Sequence, residues 1–233
     1  MVGAGGHFCP VARLTGSKSR AEEVVVAQEA EFEMDPRQRA GCAVSSELPE
    51  LYFCSDLKGY GWCFRKGNFL NVGLGRMDQH RLSEHVSSFL RFLKSSGRLC
   101  FEVPQAMLGH AYLLYGASAR KIADDGMLLI GDAAGLAYSQ SGEGIRPAIE
   151  SGLLAARAII DARGSYHREA LEVYRTLLAQ RFGAREHWAA KVGRRLPSSL
   201  IQMLGKRLLG MRWFARDVVI NRWFLHAGEQ TLG

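Results

Sequence analysis

Two glycine-rich stretches decide the fold of this chain: Gly126-Met127-Leu128-Leu129-Ile130-Gly131-Asp132-Ala133-Ala134-Gly135 and Gly142-Glu143-Gly144-Ile145-Arg146-Pro147. The first predicts a short buried strand over 128–130 that ends in a tight Gly-Asp turn. The second predicts a turn that opens a helix over 145–162, with free N–H groups at its start. This order places a carboxylate and helix-start N–H groups at the carboxyl edge of a sheet, where ligands bind in open α/β folds.

Length and composition predict a globular protein of one or two domains. The chain has 233 residues, of which 47% are hydrophobic and 23% charged, and these fractions are ordinary for such proteins. No apolar run approaches the roughly 20 residues that span a bilayer, and the amino end does not read as a signal peptide. Five scattered cysteines without a C-x-x-C pair favour reduced thiols. We therefore expect a cytoplasmic protein.

Hydrophobic periodicity predicts a mixed α/β (α+β) architecture. Residues 24–34 alternate, with Val24, Val26, Ala30, Phe32 and Met34 on one face and Glu29, Glu31 and Glu33 on the other. Further strands are predicted at 51–54, 61–64 and 68–75 with a hairpin turn at 65–67, a helix at 78–95, and helices from Tyr166 onward with breaks at Pro197 and Gly210. We expect an antiparallel sheet (20–108) inserted between two pieces of an α/β domain (1–19 and 109–162), followed by a helical region (163–233).

Asp132 and the following glycine turn have the chemistry of a flavin site. A carboxylate at a strand end accepts two hydrogen bonds from ribose hydroxyls. The turn Gly142-Glu143-Gly144 lets the backbone approach a flat ring without Cβ obstruction, and a helix start favours negative charge on that ring. The alternative is that Gly131-Asp132 only forms a turn and Gly144 only caps a helix. Both elements together, flanked by a strand and a helix, favour flavin binding.

The two stretches resemble the GD motif of FAD-dependent monooxygenases, such as para-hydroxybenzoate hydroxylase, and of the geranylgeranyl-reductase family. The resemblance implies an FAD/NAD(P)-binding-like three-layer domain in which Asp132 contacts the ribityl-pyrophosphate region of FAD. It places 142–145 under the pyrimidine end of the isoalloxazine. The implied cofactor-binding residues are Gly131, Asp132, Ala133, Gly142, Glu143, Gly144 and Ile145. Tyr138-Ser139-Gln140-Ser141 fills a loop where the family has a proline.

The amino-terminal glycines do not fit a Rossmann fingerprint, because only Met1 and Val2 precede them and Pro10 interrupts the would-be helix. Val2-Gly3-Ala4-Gly5-Gly6 followed by Val11-Ala12-Arg13 instead resembles the flavoprotein DG motif, with Gly5 at the usual aspartate. The resemblance implies that Arg13 lies near the cofactor; the alternative is a solvated arginine.

In complete family members the DG motif follows an amino-terminal βαβ unit that carries G-x-G-x-x-G. We therefore expect this chain to be the carboxyl-terminal part of a longer flavoprotein, with an FAD-binding domain that is incomplete at its N-terminus. The alternative to an enzyme is a truncated, non-catalytic fragment or an interaction module without flavin.

Tyr60-Gly61-Trp62-Cys63-Phe64-Arg65-Lys66-Gly67 resembles the geranylgeranyl-reductase motif Tyr-x-Trp-x-Phe-Pro-Lys-Gly, with Arg65 in place of the proline. Alternation places three aromatic rings on one side of a strand, which suits a flat or extended apolar substrate. Core packing of the sheet is the alternative. The predicted substrate-binding residues are Tyr60, Trp62, Phe64, Lys66 and Gly67.

From Arg163 onward the chain carries 13 Lys/Arg and 5 Asp/Glu, so the excess of positive charge belongs to its carboxyl-terminal part. The region 188–225 mixes arginines with Leu, Ile, Trp and Phe, a pattern that suits peripheral contact with a membrane surface or packing on the protein itself. No nucleic-acid recognition fold accompanies the charge. The seven histidines lack metal-ligand spacing, so we predict no metal site, and no residue is assigned to catalysis.

These observations predict an FAD-dependent oxidoreductase that acts on an apolar small molecule, isoprenoid-like or aromatic. The resemblance implies NAD(P)H as the electron donor and favours a reductase of the geranylgeranyl type. An FAD-dependent monooxygenase is the alternative within the same class.

Overall fold

The computed structural model describes residues 1–17, 22, 24–78, 80–104, 106–116, 120–183, 198–230 and 232. The chain divides into two compact units. Unit 1 comprises Met1–Glu23 and Tyr112–Gly233, and unit 2 comprises Val24–Ala111.

The chain combines strands and helices in a mixed α/β arrangement. The strands are β1 (Val2–Gly3), β2 (Val24–Glu33), β3 (Glu50–Phe53), β4 (Gly59–Lys66), β5 (Phe69–Arg76), β6 (Leu108–Leu113), β7 (Ala123–Asp124) and β8 (Met127–Leu129). The helices are α1 (Pro10–Leu14), α2 (Pro36–Ala40), α3 (Leu82–Ser95), α4 (Ile145–Asp161), α5 (Arg168–Phe182) and α6 (Ser198–Leu209). Short 3₁₀ turns occupy Gly6–Phe8 and Gly131–Ala133, and a π-helical segment occupies Phe214–Phe224.

Unit 2 is built on a five-stranded sheet in the order β3-β4-β5-β2-β6. The pairings β3–β4, β4–β5 and β5–β2 are antiparallel. Lys66 pairs with Phe69, so the hairpin turn is Gly67-Asn68 rather than the predicted 65–67. Gly67 has φ +59°, the left-handed conformation that a two-residue hairpin requires and glycine adopts readily.

Helix α3 packs on one face of this sheet, and the core of unit 2 lies between the helix and the sheet. Its buried residues Val86, Phe89 and Leu93 lie at helical spacing, as the sequence predicted. They join a cluster of buried side chains from the strands: Ala30, Cys63, Leu70, Val72 and Leu74.

The helix begins at Leu82 and not at Asp78, which corrects the predicted start. Arg81 is in the left-handed conformation with φ +56°, so the helix cannot extend backward through it. Asp78 accepts hydrogen bonds from the buried Arg76 guanidinium, with Nε–Oδ1 at 2.8 Å, and Asp56 accepts from the same group at 2.7 Å. The segment before the helix is thus held by an ion-pair cluster.

The alternation predicted for β2 is confirmed only in its second half. There Ala30 is buried, whereas Glu31 and Glu33 are exposed. In the first half Val25 and Ala27 are buried and Val24 and Val26 only half-buried, so burial there does not follow the predicted face, although the unbroken register with β5 keeps Val26 on the same face as Ala30.

Unit 1 contains a three-stranded sheet in the order β1-β8-β7, in which β1 and β8 are parallel. All three residues of β8 are buried, one position earlier than the predicted 128–130. Helices α4 and α5 pack with this sheet through Ala155, Ala158, Leu171, Tyr174 and Leu178. The Tyr174 hydroxyl donates to the Leu129 carbonyl at 2.8 Å, which fixes the end of β8 to α5.

The carboxyl-terminal part of unit 1 is mainly helical where the structure describes it up to Phe224. Helix α6 ends at Leu209, which confirms the predicted break at Gly210. The predicted break at Pro197 and the basic positions Arg194 and Arg195 lie outside the described residues. Among the helices within those residues, none combines the length and the apolar character that a bilayer crossing requires.

Candidate cofactor site and aromatic surface

The Gly-Asp turn lies directly after β8 and is anchored to helix α4. Gly131 has φ +54° and begins the 3₁₀ turn that contains Asp132 and Ala133. The Gly131 N–H donates to Ser151 Oγ of α4 at 2.9 Å. The strand, the turn and the helix are therefore locked together, as the order of motifs predicted.

The second glycine stretch meets the first at the Asp132 side chain. A Cβ atom added to Gly144 would lie 3.1 Å from Asp132 Oδ1, so the carboxylate lies against the Gly144 backbone. Gly144 occupies the N-cap position of α4, and Ile145 is its first residue. The sequence-predicted residues Asp132 and Gly144 are thus brought into contact at the amino end of a helix.

Glu143 closes this helix start and corrects one prediction. Its Oε1 accepts from the backbone N–H groups of Ile145 (2.6 Å) and Arg146 (3.0 Å). Pro147 has no N–H, and the Ala148 N–H bonds to the Gly144 carbonyl. The N–H groups of the first turn were predicted to be free for a ligand; those of residues 145, 146 and 148 are already used. The Glu143 Oε2 atom is buried and accepts no hydrogen bond from the residues that the structure describes.

The loop before Gly142 is anchored by Tyr138, a residue that the motif analysis left without a role. Its ring stacks on His226, with centroids 3.7 Å apart, and its backbone N–H donates to the Glu143 carbonyl at 2.9 Å. Burial, with the nearby carboxylates of Glu229 and Glu150, raises the pKa of Tyr138 above its ordinary value. The phenol is therefore neutral over the physiological range, and its buried hydroxyl has no hydrogen-bond partner among the described residues.

A buried ion-pair cluster lies under the same loop. Glu150 of α4 is 5% exposed and accepts hydrogen bonds from Arg146 (Nε–Oε1, 2.9 Å) and Arg181 (Nε–Oε2, 2.7 Å). Burial raises the pKa of Glu150, but the hydrogen bonds from these two guanidinium groups bring it below its ordinary value. The carboxylate is therefore ionised and ties α4 to α5.

Of two further residues that the sequence predicted to bind the cofactor, Gly142 is packed against another side chain and Arg13 is exposed. Gly142 has φ +70°, and a Cβ there would meet the Tyr112 ring. Arg13 is exposed on the five-residue helix α1. The role of Arg13 near the cofactor stays a prediction.

A buried residue of this site that sequence reasoning missed is Arg120. It is 2% exposed and donates to the Ala133 carbonyl of the Gly-Asp turn at 2.9 Å. Its sequence context gives no signal, because the partners lie far away along the chain.

The aromatic residues of β4 lie on the face of unit 2's sheet that points away from its core. Tyr60, Trp62 and Phe64 are half-buried, whereas Gly61 and Cys63 between them are buried. The three rings therefore lie outside the buried cluster of unit 2. The Tyr60 and Trp62 centroids are 6.0 Å apart, so these two rings form one continuous apolar surface.

Polar groups hold the Trp62 ring in place on this surface. Trp62 Nε1 donates to Asn71 Oδ1 at 2.7 Å, and Asn71 Nδ2 donates to Glu31 Oε2 at 3.0 Å. The hydrogen bond from Asn71, together with the charge of Lys66, lowers the pKa of Glu31. Gly73 lies opposite Trp62 and leaves room for the indole.

The other two predicted substrate-binding residues lie at the hairpin end of the same strand. Lys66 is exposed, pairs with Glu31 at 3.6 Å and lies 5.3 Å from the Phe64 ring centroid. Gly67 is the first residue of the turn. The structure thus groups all five predicted residues along one strand and its turn.

Comparisons with known proteins agree with a flavoprotein-type α/β fold. No family model matches the chain. Digeranylgeranylglycerophospholipid reductase of Methanococcus vannielii is 30% identical over 183 residues, which are 76% of this chain and 45% of that protein. Menaquinone reductase of Mycobacterium tuberculosis is 32% identical over 133 residues, 54% of this chain and 31% of that protein. The chain spans about half the length of the curated relatives it matches.

Solved structures show the same fold. A geranylgeranyl bacteriochlorophyll reductase-like protein from Thermoplasma acidophilum superimposes with a TM-score of 0.62 at 25% identity, covering 83% of this chain and 50% of that one. PqsL of P. aeruginosa superimposes with a TM-score of 0.52 at 18% identity, over 78% of this chain and 50% of that one, a likeness of fold alone. These sequence relatives and structural neighbours are members of the superfamily of FAD-dependent oxidoreductases that contains the geranylgeranyl reductases, and this chain is similar to them in sequence and fold.

Proposed function

We propose that this chain is part of an FAD-dependent reductase that saturates carbon–carbon double bonds of an isoprenoid chain, with reduced nicotinamide as the electron donor. The observation that carries the proposal is the contact between the Asp132 carboxylate and the Gly144 backbone, which joins both glycine stretches in one place. The names of its relatives, digeranylgeranylglycerophospholipid reductase and menaquinone reductase, supply the substrate class.

The residues around Asp132 fit the cofactor. A Cβ at Gly144 would lie 3.1 Å from Asp132 Oδ1, so glycine at this position lets the carboxylate lie against the start of α4. The buried Glu143 Oε2 is an unused acceptor beside it, available to a ligand N–H. Asp132 would bind the ribityl or ribose hydroxyls, and residues 142–145 would lie against the ring. Bound FAD supplies the hydride chemistry, which no side chain of the protein can provide.

The aromatic surface of β4 is proposed to bind the apolar chain of the substrate. Tyr60, Trp62 and Phe64 offer partly exposed ring faces, and the hydrogen bond from Trp62 to Asn71 fixes the largest of them before any ligand arrives. A rigid aromatic surface loses little conformational entropy on binding. Lys66 and Gly67, at the end of the strand, would contact the polar end of the substrate.

We also infer that a further βαβ unit with a glycine-rich turn completes the cofactor site. The chain matches less than half of each reductase named above. Strand β1 forms one edge of its sheet, and Val2 is 43% exposed. An added parallel strand would pair with this edge and place a pyrophosphate-binding turn near it.

Flavin binding is tested first with Asp132→Ala. We expect the purified protein, or its complex with the supplied βαβ unit, to bind FAD with the absorbance bands of a protein-bound flavin. Asp132→Ala should weaken binding by about tenfold or more, because it removes a charged acceptor worth roughly 1.5–3 kcal/mol. Asp161→Ala, at the exposed carboxyl end of α4, is the matched control and should bind FAD unchanged. Equal affinity for all three proteins would contradict the assignment of Asp132.

The reaction is tested by supplying NADPH and a prenylated substrate without oxygen. Loss of double bonds, followed by mass spectrometry, supports the reductase. Substrate-dependent oxygen uptake with a hydroxylated product would instead identify a monooxygenase. Failure to bind FAD under all these conditions would support a non-catalytic fragment.

A further inference from the structure

We propose that Arg120 is the positioning residue of the cofactor site, because one buried guanidinium holds both the Gly-Asp turn after β8 and the 3₁₀ turn Gly6–Phe8 after β1. This inference rests on the proposed flavin function and adds a residue that no motif assigns. Arg120 lies in unit 1, seven residues before β8, with a side chain that is 0% exposed.

The guanidinium bonds to the backbone of two loops that are distant in sequence. Its Nη1 donates to the carbonyls of Ala133 (2.9 Å) and Asp132 (3.5 Å) in the Gly-Asp turn. Its Nη2 donates to the carbonyl of His7 (3.1 Å) in the 3₁₀ turn after β1, and lies 3.2 Å from His7 Nδ1. The side chain therefore bridges the carboxyl ends of two paired parallel strands, where ligands bind in this kind of fold.

A buried carboxylate fixes the orientation of this guanidinium. Glu22 is 3% exposed at its side chain and accepts from Arg120 Nε at 2.7 Å and from Nη2 at 2.9 Å. The bidentate pair neutralises the buried charge and sets the plane of the fork. A lysine carries its donors on one nitrogen and cannot reach the carboxylate and both loops at the same time.

The consequence for Asp132 follows from where its backbone is held. Arg120 binds the carbonyls of Asp132 and Ala133, while Ser151 of α4 binds the Gly131 N–H. The turn is thus fixed on both sides of Asp132. Its carboxylate is set against Gly144, in the place proposed for the cofactor. Arg120 acts through Asp132 and does not itself need to touch the ligand.

The test separates positioning from stability with paired substitutions. Arg120→Met alone leaves the Glu22 carboxylate buried without its partner, so loss of folding is an expected complication. The double variant Arg120→Met/Glu22→Met removes both charges, and such replacements usually keep a fold stable. Arg120→Lys keeps the positive charge but loses the planar guanidinium with its separate nitrogen donors. The control is Arg157→Met/Asp161→Met, an exposed ion pair on α4 of the same unit.

Flavin affinity is the first measurement, by titration with FAD of the full chain together with whatever βαβ unit the wild type requires. The folded double variant should bind FAD about tenfold or more weakly, the size seen when groups that orient a binding residue are removed. Arg120→Lys should lie between it and the wild type, and the control should match the wild type. A double variant with wild-type affinity would overturn the inference.

Amide hydrogen exchange without FAD is the second measurement, and it is independent of the proposed function. In the double variant the amides of Ala134 and Gly135, which bond to the Gly131 and Asp132 carbonyls, should exchange faster. The Cys9 amide, bonded to Gly6, should do the same, while α5 keeps its protection. If the wild type binds no FAD, the proposed function fails and this pattern alone decides the inference. Unchanged exchange at all three amides, or a uniform loss that includes α5, would refute it.

Discussion

Gly144 has no Cβ, and this leaves room for the Asp132 carboxylate, which a larger residue such as alanine would crowd. Gly152 offers a contrast on the same helix, because a Cβ there would meet only Ile130 Cδ1 at 3.9 Å, an ordinary contact. The two glycines differ in what surrounds them. One makes space at the proposed site, and the other only lowers helix propensity.

Gly144→Ala should therefore weaken FAD binding while the protein remains folded. The added Cβ would lie 3.1 Å from Asp132 Oδ1, so the carboxylate must move by a few tenths of an ångström. Gly152→Ala is the control and should leave FAD affinity unchanged while stabilising the helix by about 0.5–1 kcal/mol. Flavin titration and thermal unfolding of both variants provide the measurement. Equal FAD affinity for Gly144→Ala and Gly152→Ala would show that the contact between Asp132 and Gly144 does not affect FAD binding.

At the scale of single residues, the sequence predicted part of the candidate site and missed the rest. Asp132 and Gly144 were assigned from local sequence, because a strand, a turn and a helix follow one another within 35 residues. Arg120 could not be assigned from local sequence, because its partners Glu22 and His7 lie 98 and 113 residues away along the chain. The use of the Ile145 and Arg146 N–H groups by Glu143 was missed for another reason. It depends on a side-chain rotamer, which a sequence pattern does not specify.

Among the elements, helix α4 matches its prediction closely, since 145–162 was predicted and Ile145–Asp161 is observed. Strand β4 extends two residues beyond each end of the predicted 61–64, but its alternation predicts its two faces correctly. The start of α3 was mispredicted, since its hydrophobic spacing extends no further back than Leu82 and the residues before it serve an ion-pair cluster. In β2 the buried face changes along the strand, and no single period-two pattern describes that change.

Acid should destabilise the segment between β5 and α3. Hydrogen bonds from Arg76 hold the pKa of Asp78 at about 2, below its ordinary value, and also lower the pKa of Asp56. A carboxylate with a depressed pKa contributes stability that is complete above its unfolded pKa of about 3.9 and is lost as the pH falls through its folded pKa. The stability of unit 2 should therefore fall between pH ~4 and pH ~2.

The variant Asp78→Asn should reduce this pH dependence, and it should be less stable than the wild type at pH 7. Asp161→Asn, at the exposed end of α4, serves as the comparison. Urea unfolding followed by circular dichroism at several pH values between 2 and 7 gives the free energies. An identical slope with pH for Asp78→Asn and the wild type would argue against a role for the Arg76 cluster.

The aromatic surface depends on the glycine opposite its tryptophan. A Cβ at Gly73 would lie 2.6 Å from Trp62 Cε2 and 2.8 Å from the Gln28 carbonyl, so Gly73→Ala should move the indole and cost about 1–3 kcal/mol. Gly109→Ala, where a Cβ would approach only the Ala27 carbonyl at 3.9 Å, is the control. Near-ultraviolet circular dichroism and urea unfolding report both effects. A wild-type spectrum for Gly73→Ala would mean that the ring tolerates the methyl group.

On the scale of the whole molecule, each unit has its own buried cluster. Leu129 belongs to the cluster of unit 1 and Leu70 to that of unit 2, and both are 0% exposed. Replacing either leucine by alanine should cost about 2–5 kcal/mol. In hydrogen exchange, Leu129→Ala should lower protection mainly in unit 1 and Leu70→Ala mainly in unit 2. Equal loss of protection in both units for each variant would show that they unfold as one.

The pairing of Val2 with Leu128 has a consequence for how the protein is made. During translation the first strand leaves the ribosome long before its neighbour exists, whereas every segment that forms the cluster of unit 2 is synthesised in between. Domains fold as they emerge, at about 5–20 residues per second. The inserted sheet should thus become protease-resistant in the nascent chain before β1 can pair with β8.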